Sequence, residues 1–383
     1  MSPRFDGHHR SYSDPLDGNL TESELRFLAA LGKRASKAIQ SRPVEEVGSQ
    51  PRNVPEMLRF ACLAVSAPEL LTGRLQSALH GVDTVNFRPQ KQVSYAESAV
   101  ARRIVDRLLH VADEFLSNNP EINFLVLSEM AFSVHEEMRE EVASRWQSLA
   151  TRYSCIILPG TFHCSKHHFG AQPVIVPGAD HQHAPLIYKH NSATKQGEII
   201  STPDVRDVRI LSTTYGSVCV WICLDLYDAG LVFKLLNQTM ARQDRVRDEA
   251  ASSDSTLCQI VLVPSCNADR KNNLLEAVET LSEVGQFSVF LVNWAPEITL
   301  TDGSPRSERL ESFAAVAGES LPSQVMVDES SDTDGVRCKI EVYEVAKTEL
   351  DAASTRNRSQ SGVQGSVFRG IIGGANYTRE VPE

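Results

Sequence analysis

Short, almost unbroken apolar runs recur along this chain, with helical patterns between them. Leu58–Ser66, Phe124–Leu127, Cys155–Leu158, Val218–Cys223, Ile260–Val263 and Ser288–Asn293 read as strands too apolar to leave a face in water. Residues 97–117 place Val100, Ile104, Leu108, Val111 and Phe115 on one helical face, and Asn118-Asn119-Pro120 stops that helix. Glu136–Arg152, Ala229–Ala241 and Leu274–Val284 read as further helices. Strands buried on both faces need layers on both sides, so the pattern predicts an α/β fold with helix-covered sheets. Val174–Val176 and Leu186–Tyr188 read as a hairpin around a Gly/His-rich turn, which argues against a purely parallel doubly wound sheet. Neither G-x-G-x-x-G nor G-x-x-x-x-G-K-[ST] follows any strand.

The apolar pattern weakens at both ends. Residues 1–56 read as an N-terminal extension: an aperiodic Met1–Asn19, then a helix opened by Thr21 and Glu24 with Leu25, Leu28, Ala29 and Leu31 on its stripe, then a break at Pro43, Pro51 and Pro55. Residues 57–350 form the main domain and 351–383 a tail. After Pro296 only Arg337–Val345 reads as a strand, and the acidic Asp328–Asp334 run reads as a loop.

The formal net charge of −11 speaks against nucleic acid, which wants a basic stripe. No apolar run approaches the roughly 20 residues that span a bilayer. Met1 to Leu20 lacks the apolar core of a secretion signal. The eight cysteines show no repeated spacing, and Cys62, Cys155, Cys219 and Cys258 lie inside apolar runs as reduced thiols would. A reduced, cytoplasmic protein is the expectation.

Three apolar runs end in reactive groups: Glu129 after Phe124–Ser128, Lys189 after Leu186–Tyr188, and Cys223 after Val220–Ile222. A thiol is a strong nucleophile only as thiolate, so it needs a base or a nearby cation. A carboxylate can take its proton, and an ammonium can stabilise the oxyanion formed at an attacked carbonyl or nitrile carbon. The competing G-x-S-x-G nucleophile motif is absent.

In the order Glu, Lys, Cys this chain resembles the nitrilase (carbon–nitrogen hydrolase) superfamily. Ser128-Glu129 matches the family's strand-ending Glu, with serine where proline is usual. Tyr188-Lys189 matches its lysine, and the run from Gly216 through Cys223-Leu224-Asp225 matches its nucleophile strand. Val261–Ser265 resembles the strand that ends in Pro-Ser, and Val289–Asn293 the strand that ends in a pocket-lining Asn. The match spans about Leu58 to Trp294. The resemblance implies a four-layer α-β-β-α sandwich with two mixed β-sheets. It implies a catalytic set of Glu129, Lys189 and Cys223 supported by Glu198, and an oxyanion site completed by the Leu224 N–H. Tyr227, Asn267 and Trp294 would border the pocket for a small-molecule amide or nitrile. The loops Phe87–Ser94, His163–Ala171 and Ala295–Arg306 would shape it. No cofactor is implied. A homodimer or larger assembly is, formed through the helix around Ala229–Leu236.

Blander readings compete. Taken singly, Cys223 is a core cysteine, Glu129 a strand-end carboxylate, and Lys189 and Glu198 surface groups; only the ordered set argues otherwise. His163, Cys164, His167, His168, His181 and His183 offer zinc-type donors, but Cys-x-x-His-His is no standard knuckle and no CxxC accompanies it, so no metal is assigned. The altered proline, the extra N-terminal segment and the weak C-terminal third leave room for a sensor or scaffold module of a larger assembly that binds with little or no turnover, and the polar ends at Met1 and Glu383 fit a domain detached from a longer polypeptide.

Overall fold

The computed structural model describes residues 39–41, 45–47, 55–66, 71–72, 94–95, 98–129, 131, 138–164, 169–179, 184–191, 206–228, 231, 235, 259–267, 271–285, 287–295, 298–299, 305–316, 323–331 and 336–350. The helix expected after Thr21 lies outside them, as does most of the Ala229–Ala241 helix, of which Leu231 and Leu235 are described and fully buried.

The strands that build the sheets are, in chain order, β1 (Glu45–Glu46), β2 (Met57–Ser66), β3 (Phe124–Leu127), β4 (Ile156–Leu158), β5 (Phe169–Pro173), β6 (Leu186–Tyr188) and β7 (Ile210–Thr213). They continue with β8 (Gly216–Val220), β9 (Ile260–Ser265), β10 (Ser288–Ala295), β11 (Arg309–Ala315), β12 (Ser323–Ser331) and β13 (Arg337–Ala346). Among the described residues, α1 (Ser98–Asn118), α2 (Arg139–Tyr153) and α3 (Lys271–Gly285) cover them. A three-stranded sheet holds Phe162–Cys164, β5 and β6, and the two main sheets have six strands in the order β11-β10-β9-β8-β7-β1 and five in the order β12-β13-β2-β3-β4. Both main sheets are mixed. β8, β9 and β10 run parallel with β7 and β11 antiparallel beside them, while β2, β3 and β4 run parallel with β13 antiparallel to β2.

The alternation of side chains sorts the core into three layers. Phe60, Cys62, Phe124 and Val126 of one sheet meet Val218, Val220, Leu262 and Phe290 of the other in a cluster between the sheets. Their neighbours Leu63, Val65, Leu125 and Leu127 point outward onto Ile104, Leu108, Phe115, Val142 and Trp146 of α1 and α2. Cys219, Val261, Val263 and Leu291 point the other way, onto Leu274, Val278 and Leu281 of α3. The layers therefore run helix, sheet, sheet, helix, as the apolar strands require. Phe60 fastens the inner layer, stacking on Phe124 at 4.7 Å within its own sheet and on Phe290 of the facing sheet at 3.9 Å.

Local chemistry sets the helix ends. Ser117 Oγ and Asn118 Nδ2 both donate to the Glu114 carbonyl, and Asn119 Nδ2 donates to that of Phe115, one of the last four carbonyls of α1 that lack an intrahelical donor. Ser154 closes α2 in the left-handed region at φ 51°, its N–H on the Ala150 carbonyl.

Three expectations are corrected. The hairpin partner of β6 is β5 rather than Val174–Val176. Those three residues are buried on both sides, and Ile175 bridges Ile157 to extend the sheet edge beside β4. Asp328–Ser331 lies within β12 rather than in a loop. An edge strand tolerates charge, and the register places Glu329 opposite Lys339. The strand expected over Val218–Cys223 is β8, which ends at Val220; the Trp221 N–H still donates to the Leu262 carbonyl at 3.0 Å, and Ile222 is extended before the chain turns. Residues 45–47, counted with the N-terminal extension in the sequence, add β1 parallel to β7, with the Val47 N–H on the Ser212 carbonyl at 3.0 Å. Among the described residues no helix is long and apolar enough to cross a membrane.

Replacing Phe60 by Ala removes the ring that joins the sheets. The expected loss is about 3–5 kcal/mol of unfolding free energy, read by denaturant titration, and a loss below about 1 kcal/mol would contradict its bridging role.

Candidate active site

Each of the three reactive residues stands just beyond the C-terminal end of a strand, and the strands come from different sheets. Glu129 follows β3 of the five-stranded sheet, Cys223 follows β8 of the six-stranded sheet, and Lys189 follows β6. All three are buried: Glu129 and Lys189 are each 1% exposed and Cys223 3%.

Lys189 Nζ donates to Glu129 Oε1 at 2.6 Å. The other carboxylate oxygen accepts the Cys266 N–H at 3.0 Å. The carbonyl of that same Cys266 accepts the Cys223 thiol at 3.6 Å. Cys266 is the first residue past β9, the strand beside β8. One residue's main chain thus holds the carboxylate with its N–H and the thiol with its carbonyl, and the ammonium sits on the carboxylate. A further main-chain bond crosses between the sheets here, from the Glu129 N–H to the Ser265 carbonyl at 3.3 Å.

The serine before Glu129 has a structural reason. Ser128 is fully buried; its N–H donates to the Leu63 carbonyl at 3.1 Å, its Oγ accepts the Val65 N–H at 3.0 Å, and the same Oγ donates to the Val65 carbonyl at 3.3 Å. A proline has no N–H to extend this ladder and no hydroxyl to serve Val65. Gly160 packs under the same turn at φ +96°, where a Cβ would lie 2.8 Å from the Ser128 carbonyl oxygen.

Cys223 adopts φ 51°, a region that ordinary residues seldom enter. Asp225 holds it there. This buried carboxylate accepts the N–H groups of His190 at 3.1 Å and Asn191 at 2.8 Å, the Asn191 side-chain amide at 2.9 Å, and the Ile222 N–H at 3.4 Å. It ties the segment carrying Lys189 to the turn carrying Cys223. Burial raises its pKa above the ordinary carboxylate range, and the His190, Asn191 and Lys189 donors and charges oppose that shift. The sequence had placed Asp225 only as the last letter of a motif.

The other expected site residues are distributed unevenly. Leu224 is half-buried and is the second residue of the short helix Cys223–Tyr227, directly after the thiol. Asn267 is 1% exposed beside Cys266. Trp294 is 3% exposed; its carbonyl accepts the Asn267 N–H at 3.1 Å and its indole N–H donates to Glu308 at 2.8 Å. Tyr227 packs against the apolar cluster under α3. Asn293, expected to line the pocket, is fully buried and turned onto the Asn267 main chain, which its Oδ1 and Nδ2 engage at 2.9 Å each. Glu198 lies outside the described residues, as does the Phe87–Val93 part of a pocket loop. The histidine-rich stretch is described at most in its backbone, and His167, His168, His181 and His183 lie outside. Among the described residues no group of three or more His, Cys, Asp and Glu side chains could hold a metal ion. Cys266 carried no sequence signal of its own; its place directly after the Pro-Ser strand end was the only pointer.

No family model and no curated protein matches this sequence. Solved structures do. A mutant of the amidase from Nesterenkonia sp. AN1 in complex with butyramide is similar over 80% of this chain and 96% of its own, with 13% identity and a TM-score of 0.44. Saccharomyces cerevisiae Nit3, a member of branch 10 of the nitrilase superfamily, is similar over 82% of this chain and 99% of its own, with 12% identity and a TM-score of 0.48. At that distance the chemistry has to be read from this chain's own residues.

Removing one partner of the buried ion pair strands the other. Lys189→Met should cost about 3–5 kcal/mol of stability by denaturant titration, and Glu129→Gln in the same background should recover part of it. A change under about 1 kcal/mol for Lys189→Met would show that the pair is not held as described.

Proposed function

We propose that this protein is a carbon–nitrogen hydrolase that cleaves a non-peptide amide of a small molecule through a thioester on Cys223. The observation that carries the reading is the buried Lys189–Glu129 pair sharing the Cys266 main chain with the Cys223 thiol. A desolvated carboxylate beside a thiol is a base, and a desolvated ammonium beside both is an oxyanion partner. The burial of Glu129 and Lys189 argues against the bland reading of each, and the shared Cys266 main chain, rather than burial, argues against Cys223 being a core cysteine alone.

In this reading Glu129 takes the Cys223 proton and the thiolate attacks the carbonyl carbon. The oxyanion rests on Lys189 and the Leu224 N–H, the latter at the head of the turn that follows the nucleophile. Glu129 returns the proton to the leaving nitrogen, and ammonia or an amine departs as the thioester forms. Water, deprotonated by Glu129, then attacks the thioester and releases the acid and the thiol. Glu198 supports Lys189 and Glu129, while Asn267, Trp294 and Tyr227 border the substrate. An amide is favoured over a nitrile on the sequence resemblance, in which amidases predominate.

Ammonia release from a panel of amides, nitriles and carbamoyl compounds tests the reading. The protein should release ammonia from at least one class, and Cys223→Ala should abolish that release. Release that persists in the variant overturns the thioester route, and no release from any class favours a sensor or scaffold that binds without turnover.

A further inference from the structure

Glu311 lies on β11, in the part of the chain where the sequence offered no motif, yet three hydrogen-bonded steps connect it to the reacting groups. Its Oε1 accepts Asn293 Nδ2 at 3.0 Å. The same Nδ2 donates to the Asn267 carbonyl at 2.9 Å, and Asn293 Oδ1 accepts the Asn267 N–H at 2.9 Å. Asn293 therefore engages both polar groups of the Asn267 main chain. The preceding residue is Cys266, whose N–H holds Glu129 and whose carbonyl holds Cys223. Asn293 is fully buried and Glu311 is 7% exposed, so neither bond is shared with bulk water.

A carboxamide fits its cavity equally well in two orientations, half a turn apart. Only one of them offers oxygen to the Asn267 N–H and nitrogen to its carbonyl. In the other, Asn293 Oδ1 would face two acceptors, the Asn267 carbonyl and the Glu311 carboxylate. Glu311 favours the working orientation because its carboxylate, which also accepts Arg309 Nη2 on Oε1 at 3.4 Å, can accept but not donate and so repels the Asn293 oxygen. Arg309 steadies it, donating from Nε to Glu311 Oε2 at 3.2 Å. The register repeats the arrangement, since Glu311 and Asn293 are paired residues of adjacent antiparallel strands.

We propose that Asn293 and Glu311 are positioning residues for the reaction, which fix Glu129 relative to Cys223 through the Cys266–Asn267 main chain. The proposal rests on Cys223 being the nucleophile. It assigns a chemical task to an edge strand whose sequence carries no motif. A purely structural pair would lower the melting temperature of its variants and leave the thiol's reactivity in the folded protein unchanged.

The test is the rate of Cys223 alkylation by iodoacetamide, followed by peptide mass spectrometry on the full chain, with melting temperatures measured in parallel. In the wild type Cys223 should react faster than the core thiols Cys62 and Cys155. Glu311→Ala should slow Cys223 about tenfold or more, while Glu311→Gln, whose amide oxygen still accepts, should recover the rate to within about twofold. Asn293→Asp, which puts an acceptor against the Asn267 carbonyl, should slow it as Glu311→Ala does. An unchanged Cys223 rate in folded Glu311→Ala overturns the proposal. So does a Glu311→Gln rate as low as that of Glu311→Ala, or loss of the fold in Glu311→Ala, which would make Glu311 part of the frame alone. A wild-type Cys223 no faster than Cys62 and Cys155 would instead remove the nucleophile reading itself, and the positioning role with it.

Discussion

The main chain of Cys266 is the part on which the rest of the site depends. It lies at the seam of the sandwich, just past a strand of one sheet, and receives the carboxylate from the other. Burying a carboxylate and an ammonium at 1% exposure costs several kcal/mol per ion unless each finds partners. Glu129 finds two, Lys189 on one oxygen and the Cys266 N–H on the other. That second bond exists only if the two sheets are held in register at this end. Phe60 stacked across the interior and the Ser312 N–H on the inter-sheet carboxylate Glu341 at 2.9 Å are two of the contacts that hold them.

Strain and burial are spent at the same place. A non-glycine residue at positive φ costs on the order of 1–3 kcal/mol and persists only where its surroundings leave it no choice. At Cys223 those surroundings are Asp225 and the donors it gathers from His190, Asn191 and Ile222. The result is a thiol lifted off its strand toward the Cys266 carbonyl. Cys62 and Cys155 show the contrast. They sit within or beside strands in the apolar layers, and burial pushes both thiols well above the ordinary range, which keeps them protonated and inert.

What the sequence revealed and what it hid divide along a physical line. Phe124–Leu127 and Ile260–Ser265 were legible because a strand covered on both faces must be continuously apolar. Glu129, Lys189 and Cys223 were legible because a reactive side chain directly after such a run is unusual. Their partners were not. Cys266 lies 137 residues from Glu129 and 43 from Cys223 along the chain, and only strand order brings them together. Glu311 was hidden for the same reason, compounded by an edge strand whose Arg309-Leu310-Glu311-Ser312 pattern has no continuous apolar signal. At Asp328–Ser331 the charges that suggested a loop belong to a strand that, among the described residues, pairs on one side alone. The hairpin was misplaced by a few residues because Val174–Val176 are apolar for contact with the core on both sides, which periodicity alone does not distinguish from ladder pairing.

The central claim is that the seam holds Cys223 as a nucleophile served by Glu129 and Lys189. Rapid acid quench during turnover of an amide identified by its ammonia release, followed by peptide mass spectrometry, tests it most directly. The account predicts an acyl group on the Cys223 peptide, absent from Cys62, Cys155 and Cys266 and lost in Glu129→Gln. Turnover with no acyl adduct on Cys223, or with the adduct on another cysteine, would contradict it.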